Sequence, residues 1–162
     1  MKIKKIFIIM IIFILLGSFT TSVFANEKSD LTEIEDYIYN IYKKYQEKHY
    51  EAVYNNMHPK IKEVLEKEKY IKFQKKNTEK YELEISEVEV LKVSKLENVP
   101  DTFKDIISDK EKLNVYEISI KYKTNYKNAG SKKEKIIEKE TYVVNNNTQN
   151  YLLWDPGIIN KD

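Results

Sequence analysis

The periodicity of apolar residues changes once, near Tyr81, and that change restricts the fold more than any other feature. Before it, apolar residues recur every three to four positions. Leu31, Ile34, Ile38, Ile41, Tyr42 and Tyr45 form one stripe, the pattern of a helix with one buried face. After it, Leu83 and Ile85 alternate with Glu82 and Glu84, the period of a strand. Helices first and strands after predict an α+β fold.

The helical half divides at local signals. Asp30 with Glu33 three residues later has the spacing of a capping box. Tyr37 and Tyr39 fall off the stripe and read as surface rings. His49-Tyr50 marks a break, and Glu51–Met57 resumes as a short helix. His58-Pro59 ends it, and Pro59 suits the first turn of the next, whose apolar side is Ile61, Val64 and Leu65. Lys69–Lys80 reads as a further helix with Tyr70, Ile71 and Phe73 inward.

In the second half, the apolar phase slips from Leu83 and Ile85 to Val88 and Val90, which predicts a bulge near Ser86–Glu87 in a strand ending near Val93. A long connection, Glu97–Lys112, carries Phe103, Ile106 and Ile107 in a short helical turn. Leu113–Tyr126 is the second strand, with Tyr116, Ile118, Ile120 and Tyr122 on one face. Turns at Asn128–Ser131 and Asn145–Asn147 separate it from a third strand, Lys132–Val144, and a fourth, Tyr151–Trp154. The expected sheet is a four-stranded antiparallel meander. The single tryptophan, Trp154, ends it as a core anchor before Asp155-Pro156-Gly157.

The first 25 residues read differently. Lys2, Lys4 and Lys5 precede an unbroken apolar run, Ile6–Leu16, and Val23-Phe24-Ala25 closes a small, polar-leaning stretch. This is the layout of a secretory signal peptide, with cleavage expected between Ala25 and Asn26. The run is shorter than the roughly 20 residues of a membrane span. The membrane is therefore expected to be met only through this segment, should it stay attached. Residues 26–162 are then one domain. The leader takes three of the 28 lysines and no acid, so 25 lysines face 26 acids and the mature net charge is −1. A near-neutral domain gives no electrostatic ground for nucleic-acid binding. Cysteine is absent, which rules out disulfides and lipid attachment through a cysteine. Arginine is absent too, so an anion site would use lysine or backbone amides. This usage points to a secreted or surface protein of a low-GC, Gram-positive bacterium.

No catalytic constellation appears. His49 and His58 lack the spacing of a zinc-binding pair and read as exposed or capping histidines. Phosphate-binding glycine loops and the nucleophile elbow are missing, and no cofactor is expected. The acids of Glu82–Glu89 read as a solvated strand face. The lysines of Lys132–Lys139, broken by Glu134 and Glu138, read as a solvated hairpin.

Three stretches carry a likeness to a known family: His49–Leu83 (HYEAVYNNMHPKIKEVLEKEKYIKFQKKNTEKYEL), Val115–Gly130 (VYEISIKYKTNYKNAG) and Tyr151–Ile159 (YLLWDPGII). The chain resembles the MecA-type N-terminal domain of β-lactam-resistant penicillin-binding proteins, of the nuclear transport factor 2-like superfamily. The resemblance implies a cone in which N-terminal helices pack on a curved four-stranded antiparallel sheet. It also implies a non-catalytic cell-envelope module, linked to the response to antibiotic, with a penicillin-binding protein or peptidoglycan as partner. The transpeptidase signatures SxxK, SxN and KTG are missing, and Lys123-Thr124-Asn125 fails at the glycine. The long 97–112 connection and the extended turn after Thr124 depart from the family pattern. The competing expectation is a small-ligand binder or enzyme that uses the hollow of the cone, lined by Tyr54, Tyr116, Tyr122 and Trp154. A third is a homodimer paired through the outer sheet face.

Overall fold

The structure, a computed structural model, describes residues 30–107, 113–128 and 130–161. Ala25 and Asn26, with the rest of the leader, lie outside the described residues. The chain divides into Met1–Glu33, described only for residues 30–33 at the start of the first helix, and Ile34–Asp162. Among the described residues no helix is long and apolar enough to cross a membrane.

Helix α1 spans residues 30–46, so Asp30 lies inside it and not ahead of it as a cap. Ile34, Ile38 and Ile41 are buried, as their spacing of four and three dictates, and Tyr42 joins them. Each such isoleucine contributes about 1.5–3 kcal/mol. Tyr39 is 38% exposed, as expected of an off-stripe position. Tyr37 is not a free surface ring. It is half-buried, and its hydroxyl donates to the Asn56 carbonyl at 3.1 Å. One position off the stripe, a side chain that long still reaches the end of the next helix.

Helices α2 (Tyr50–Asn55), α3 (Pro59–Val64) and α4 (Lys67–Tyr81) follow. His58 caps α3, with Nδ1 accepting from the Lys60 amide at 3.3 Å and Pro59 in the first turn. Ile61 is fully buried, but Val64 is 61% exposed and does not share its side. The six-residue helix ends at Val64, and Leu65 turns inward in an extended conformation. Helix α4 begins two residues before the expected Lys69. It stops because Glu82 takes left-handed geometry (φ 44°) and the Leu83 amide donates back to the Thr78 carbonyl at 3.0 Å. Leu83 thus closes the helix and does not open the strand.

The strands are β1 (Glu84–Leu96), β2 (Asn114–Asn128), β3 (Ser131–Asn145) and β4 (Asn150–Leu153), in sheet order β1-β2-β3-β4 and antiparallel throughout. The fourth strand ends at Leu153, so Trp154 follows the ladder and is not part of it. The expected bulge exists: the register shifts between Ser86 and Glu89, where Glu87 has φ 50°. A second shift falls between Val90 and Lys92 and turns Leu91 outward. Gly130 (φ 82°) and Asn147 (φ 68°) supply the left-handed residues of the two turns.

Tyr116, Ile118, Ile120 and Tyr122 of β2 face one side, where Tyr122 meets Tyr42 of α1. On the other side the β1–β2 connection lays Phe103 edge-on against Tyr142 at 5.9 Å, with Val99 and Ile107 also buried. The connection contains a turn of 3₁₀ helix at Asp101–Phe103, ahead of the expected Phe103–Ile107. Strand β4 pairs only with residues 142–145 of β3. The Asn56–His58 segment flanks it through Leu152, whose amide donates to Asn56 O at 2.8 Å and whose carbonyl accepts from His58 N at 3.1 Å.

Two substitutions in one short helix test this packing. Ile61→Ala is expected to cost about 2–5 kcal/mol by urea unfolding. Val64→Ala, four-fifths of a turn away, should change stability by no more than about 0.5 kcal/mol. Equal effects would mean that α3 faces the core differently.

Candidate functional site

Between helices and sheet runs a row of aromatic side chains drawn from four elements. Tyr42 and Tyr45 come from α1, Tyr50 and Tyr54 from α2, Tyr70 and Phe73 from α4, and Tyr122 from β2. Ring centroids lie 5.5 Å apart for Tyr122–Tyr42, 5.7 Å for Tyr42–Tyr45 and 6.4 Å for Tyr45–Tyr50. The Tyr45 and Tyr70 hydroxyls then meet at 2.7 Å. Tyr70 lies 5.9 Å from Tyr54, and Trp154 stands edge-on to it at 5.1 Å and to Phe73 at 6.2 Å. Tilted and edge-on pairs of this kind add about 0.5–1.5 kcal/mol each beyond burial.

A phenol inside a protein needs a partner, because its hydroxyl loses water on burial. The Tyr54 hydroxyl donates to the Leu65 carbonyl at 2.7 Å, and Tyr50 bonds to the Thr78 hydroxyl. Among the described residues no buried side-chain nitrogen or oxygen lacks a partner. Burial pushes the Tyr42 and Tyr45 phenols well above their ordinary pKa of 10.0, with neighbouring tyrosines adding to the effect. Burial likewise raises Tyr70 and Tyr122.

The four side chains expected to line a hollow fall into this row unequally. Tyr54 and Trp154 meet through Tyr70, and Tyr122 joins through Tyr42 and Tyr45. Tyr116 is buried farther along the same strand, beside Val143. A cleft of about 280 Å³ lies elsewhere, between Val64, Leu65, Lys69, Ile106, Pro156 and Ile159. Another, of about 420 Å³, lies by the β2–β3 hairpin end with Glu82, Lys127, Lys132 and Glu134 on its walls. Neither is lined by any of the four.

Lys132–Lys139 is the solvated hairpin expected of it, exposed at every residue but Ile137, and Lys139 adds a contact of its own. Its Nζ sits over two rings, 5.6 Å from the Tyr42 centroid and 5.8 Å from Tyr122. The residue is open to solvent as a whole, so the crowding is local to the ammonium end. Loss of water there lowers its pKa. Strand phase was the signal available for this: Ile137, Lys139 and Thr141 share parity with Val143 and oppose Tyr122, Ile120 and Ile118.

The outer face is a ladder of ion pairs. Lys123 lies 3.3 Å from Glu87 and 2.8 Å from Glu134, and Lys127 lies 2.7 Å from Glu82. The Glu82–Glu89 acids therefore serve the solvated face expected of them. Exposed pairs of this kind are each worth at most about 1 kcal/mol. His58 is buried with its ring edge-on to Tyr151, and His49 is exposed beside Glu47. The described residues contain no cluster of histidine and acid side chains able to hold a metal.

Compared with known proteins, the chain matches no family model, no curated protein and no solved structure.

Because the buried phenols hold their protons more tightly folded than unfolded, their contribution to stability is complete below about pH 10 and is lost as pH rises through the folded pKa values. An alkaline titration should therefore show two waves of phenolate absorbance. Solvated tyrosines ionise first with the fold intact, and the buried ones ionise only together with loss of near-ultraviolet dichroism. All 13 tyrosines ionising in one wave, with dichroism unchanged, would contradict the buried row.

Proposed function

We propose that this protein is a secreted, non-catalytic module of the cell envelope that acts by binding a partner there, a penicillin-binding protein or peptidoglycan. In this reading the fold is the cone-shaped nuclear transport factor 2-like architecture. The observation that carries it is the order and packing of elements. Helices come first and cover one face of an antiparallel meander, and a terminal Trp154 seats against Tyr70 and Phe73 of the last long helix. That is the arrangement implied by the likeness to the N-terminal domain of β-lactam-resistant penicillin-binding proteins. The leader-like sequence of residues 1–25 supports a site of action outside the cytoplasm.

One observation favours a second reading, a small-ligand binder or enzyme working on the helix side of the sheet. The Lys139 ammonium, crowded by Tyr42 and Tyr122, is a cation set against apolar surface, where an anion with an aromatic or aliphatic body would fit.

The test is crosslinking in the producing cells, followed by purification of the tagged protein and exposure to a fluorescent penicillin. The expected result is a labelled co-purifying band, an unlabelled band for this protein, and a mature chain beginning at Asn26 in the envelope fraction. Recovery from the cytosol with residues 1–25 attached would overturn the proposal, as would acylation of this chain itself.

A further inference from the structure

Strand β3 is 15 residues long, and its neighbour β4 is only four. Pairing with β4 uses Tyr142–Asn145 and stops. From residue 132 to residue 141, β3 has a partner on one side only, namely β2, among the described residues. Ten residues are about 33 Å of strand edge. Along it the backbone groups that point away from β2 have no ladder to join.

The two edges of this sheet differ. The β1 edge is broken by two register shifts and a left-handed Glu87, which twist an edge out of a form that another strand can join. The β3 edge keeps an unbroken register with β2 from Asn114–Asn145 to Asn128–Ser131 and contains no proline. Charge along it is sorted by face. Lys133, Lys135 and Lys139 share one face with Ile137, opposite Tyr126, Thr124, Ile120 and Tyr122. Glu134, Glu138 and Glu140 share the other with Ile136, and Lys132 at the hairpin end is the one cation on that face.

That sorting decides between occupants. Two copies joined edge to edge are related by an axis normal to the sheet, so residues of one face meet residues of the same face. Of the two registers with most overlap, one sets Glu134 against Glu138 and Lys133 against Lys139, with only Lys132 against Glu140 opposite in charge, and the other sets Glu134 against Glu140 and Lys135 against Lys139. Like charges directly opposed across strands are destabilising. A different strand, with acids facing the lysines and lysines facing the glutamates, meets opposite charge at every such position and can place aliphatic residues on Ile136 and Ile137.

We propose that the β3 edge, residues 132–141, is a docking site for an extended segment of a partner protein whose residues alternate between acid and lysine around an aliphatic pair. The segment adds to the sheet as a fifth strand, antiparallel to β3. Main-chain hydrogen bonds hold it, and the two faces of the edge select it. This deepens the reading of the protein as a partner-binding module and supplies the surface that such a module would use.

The experiment uses the purified secreted protein and two synthetic peptides. One reads Thr-Lys-Glu-Lys-Val-Ile-Glu-Lys-Glu-Glu, complementary to residues 141 down to 132. The other exchanges every lysine and glutamate. The first is expected to bind at least about tenfold more tightly, to weaken with salt, and to slow amide exchange along 132–141. A variant carrying Lys133→Glu, Lys135→Glu, Glu138→Lys and Glu140→Lys should reverse the preference while keeping its dichroism. Equal affinity for both peptides, no binding by either, or protection elsewhere would overturn the proposal. So would concentration-dependent self-association with protection of 132–141, which would give the edge to a second copy. A failed peptide experiment beside a successful crosslinking result would remove this edge as the surface and leave the envelope reading standing. The opposite pair of results would do the reverse.

Discussion

The arrangement of this protein depends on the contact between the hydroxyls of Tyr45 and Tyr70. They approach to 2.7 Å from helices 25 residues apart in sequence, beneath a sheet that both helices help to cover. A buried phenol needs a hydrogen-bond partner, because an orphaned buried hydroxyl costs about 1–3 kcal/mol, and these two supply one to each other. The requirement fixes the rotation of α1 and α4 together. With Tyr45 on Tyr70, Tyr42 meets Tyr122 of β2, and Tyr70 offers its ring to Trp154. Without disulfides, this satisfied aromatic layer does much of the joining between the two halves of the chain.

Much of this was legible in the sequence, and the reasons are physical. The α1 stripe, the bulge after Ser86, the capping role of His58 and the two asparagine-rich turns all follow from local rules. What escaped was decided where elements end and by one neighbour distant in the chain. Val64 looked inward by spacing, but its helix is too short for spacing to govern. Leu83 looked like a strand residue until the left-handed Glu82 assigned it to the helix cap. Tyr37 reads as surface from its phase and finds Asn56 only because α2 ends within reach. At the site, the rings were identified by type, but their grouping was not. Tyr45 and Tyr70, which connect the row, carried no mark beyond hydrophobic phase.

The same lysine and glutamate residues serve different ends on the two faces of β3. On the outer face Glu134 reaches Lys123 of the next strand, and the charge is spent within the molecule. On the inner face Lys139 turns onto Tyr42 and Tyr122. The brevity of β4 produces both effects. Among the described residues it leaves most of β3 without a strand on the side away from β2, and it brings Trp154 back over α4 soon after Leu153. A short last strand therefore closes the aromatic layer at one end and opens an edge at the other.

Native-state hydrogen exchange tests this account most directly. If the aromatic layer joins helices and sheet into one cooperative unit, the protected amides of α1, α4 and β2 exchange together, through global unfolding, and share one dependence on denaturant. Edge-facing amides of residues 132–141 exchange by local opening at far lower free energy. Exchange of α1 and α4 as a separate unit, at lower free energy than β2, would contradict the account, because the helices would then leave the sheet without breaking it.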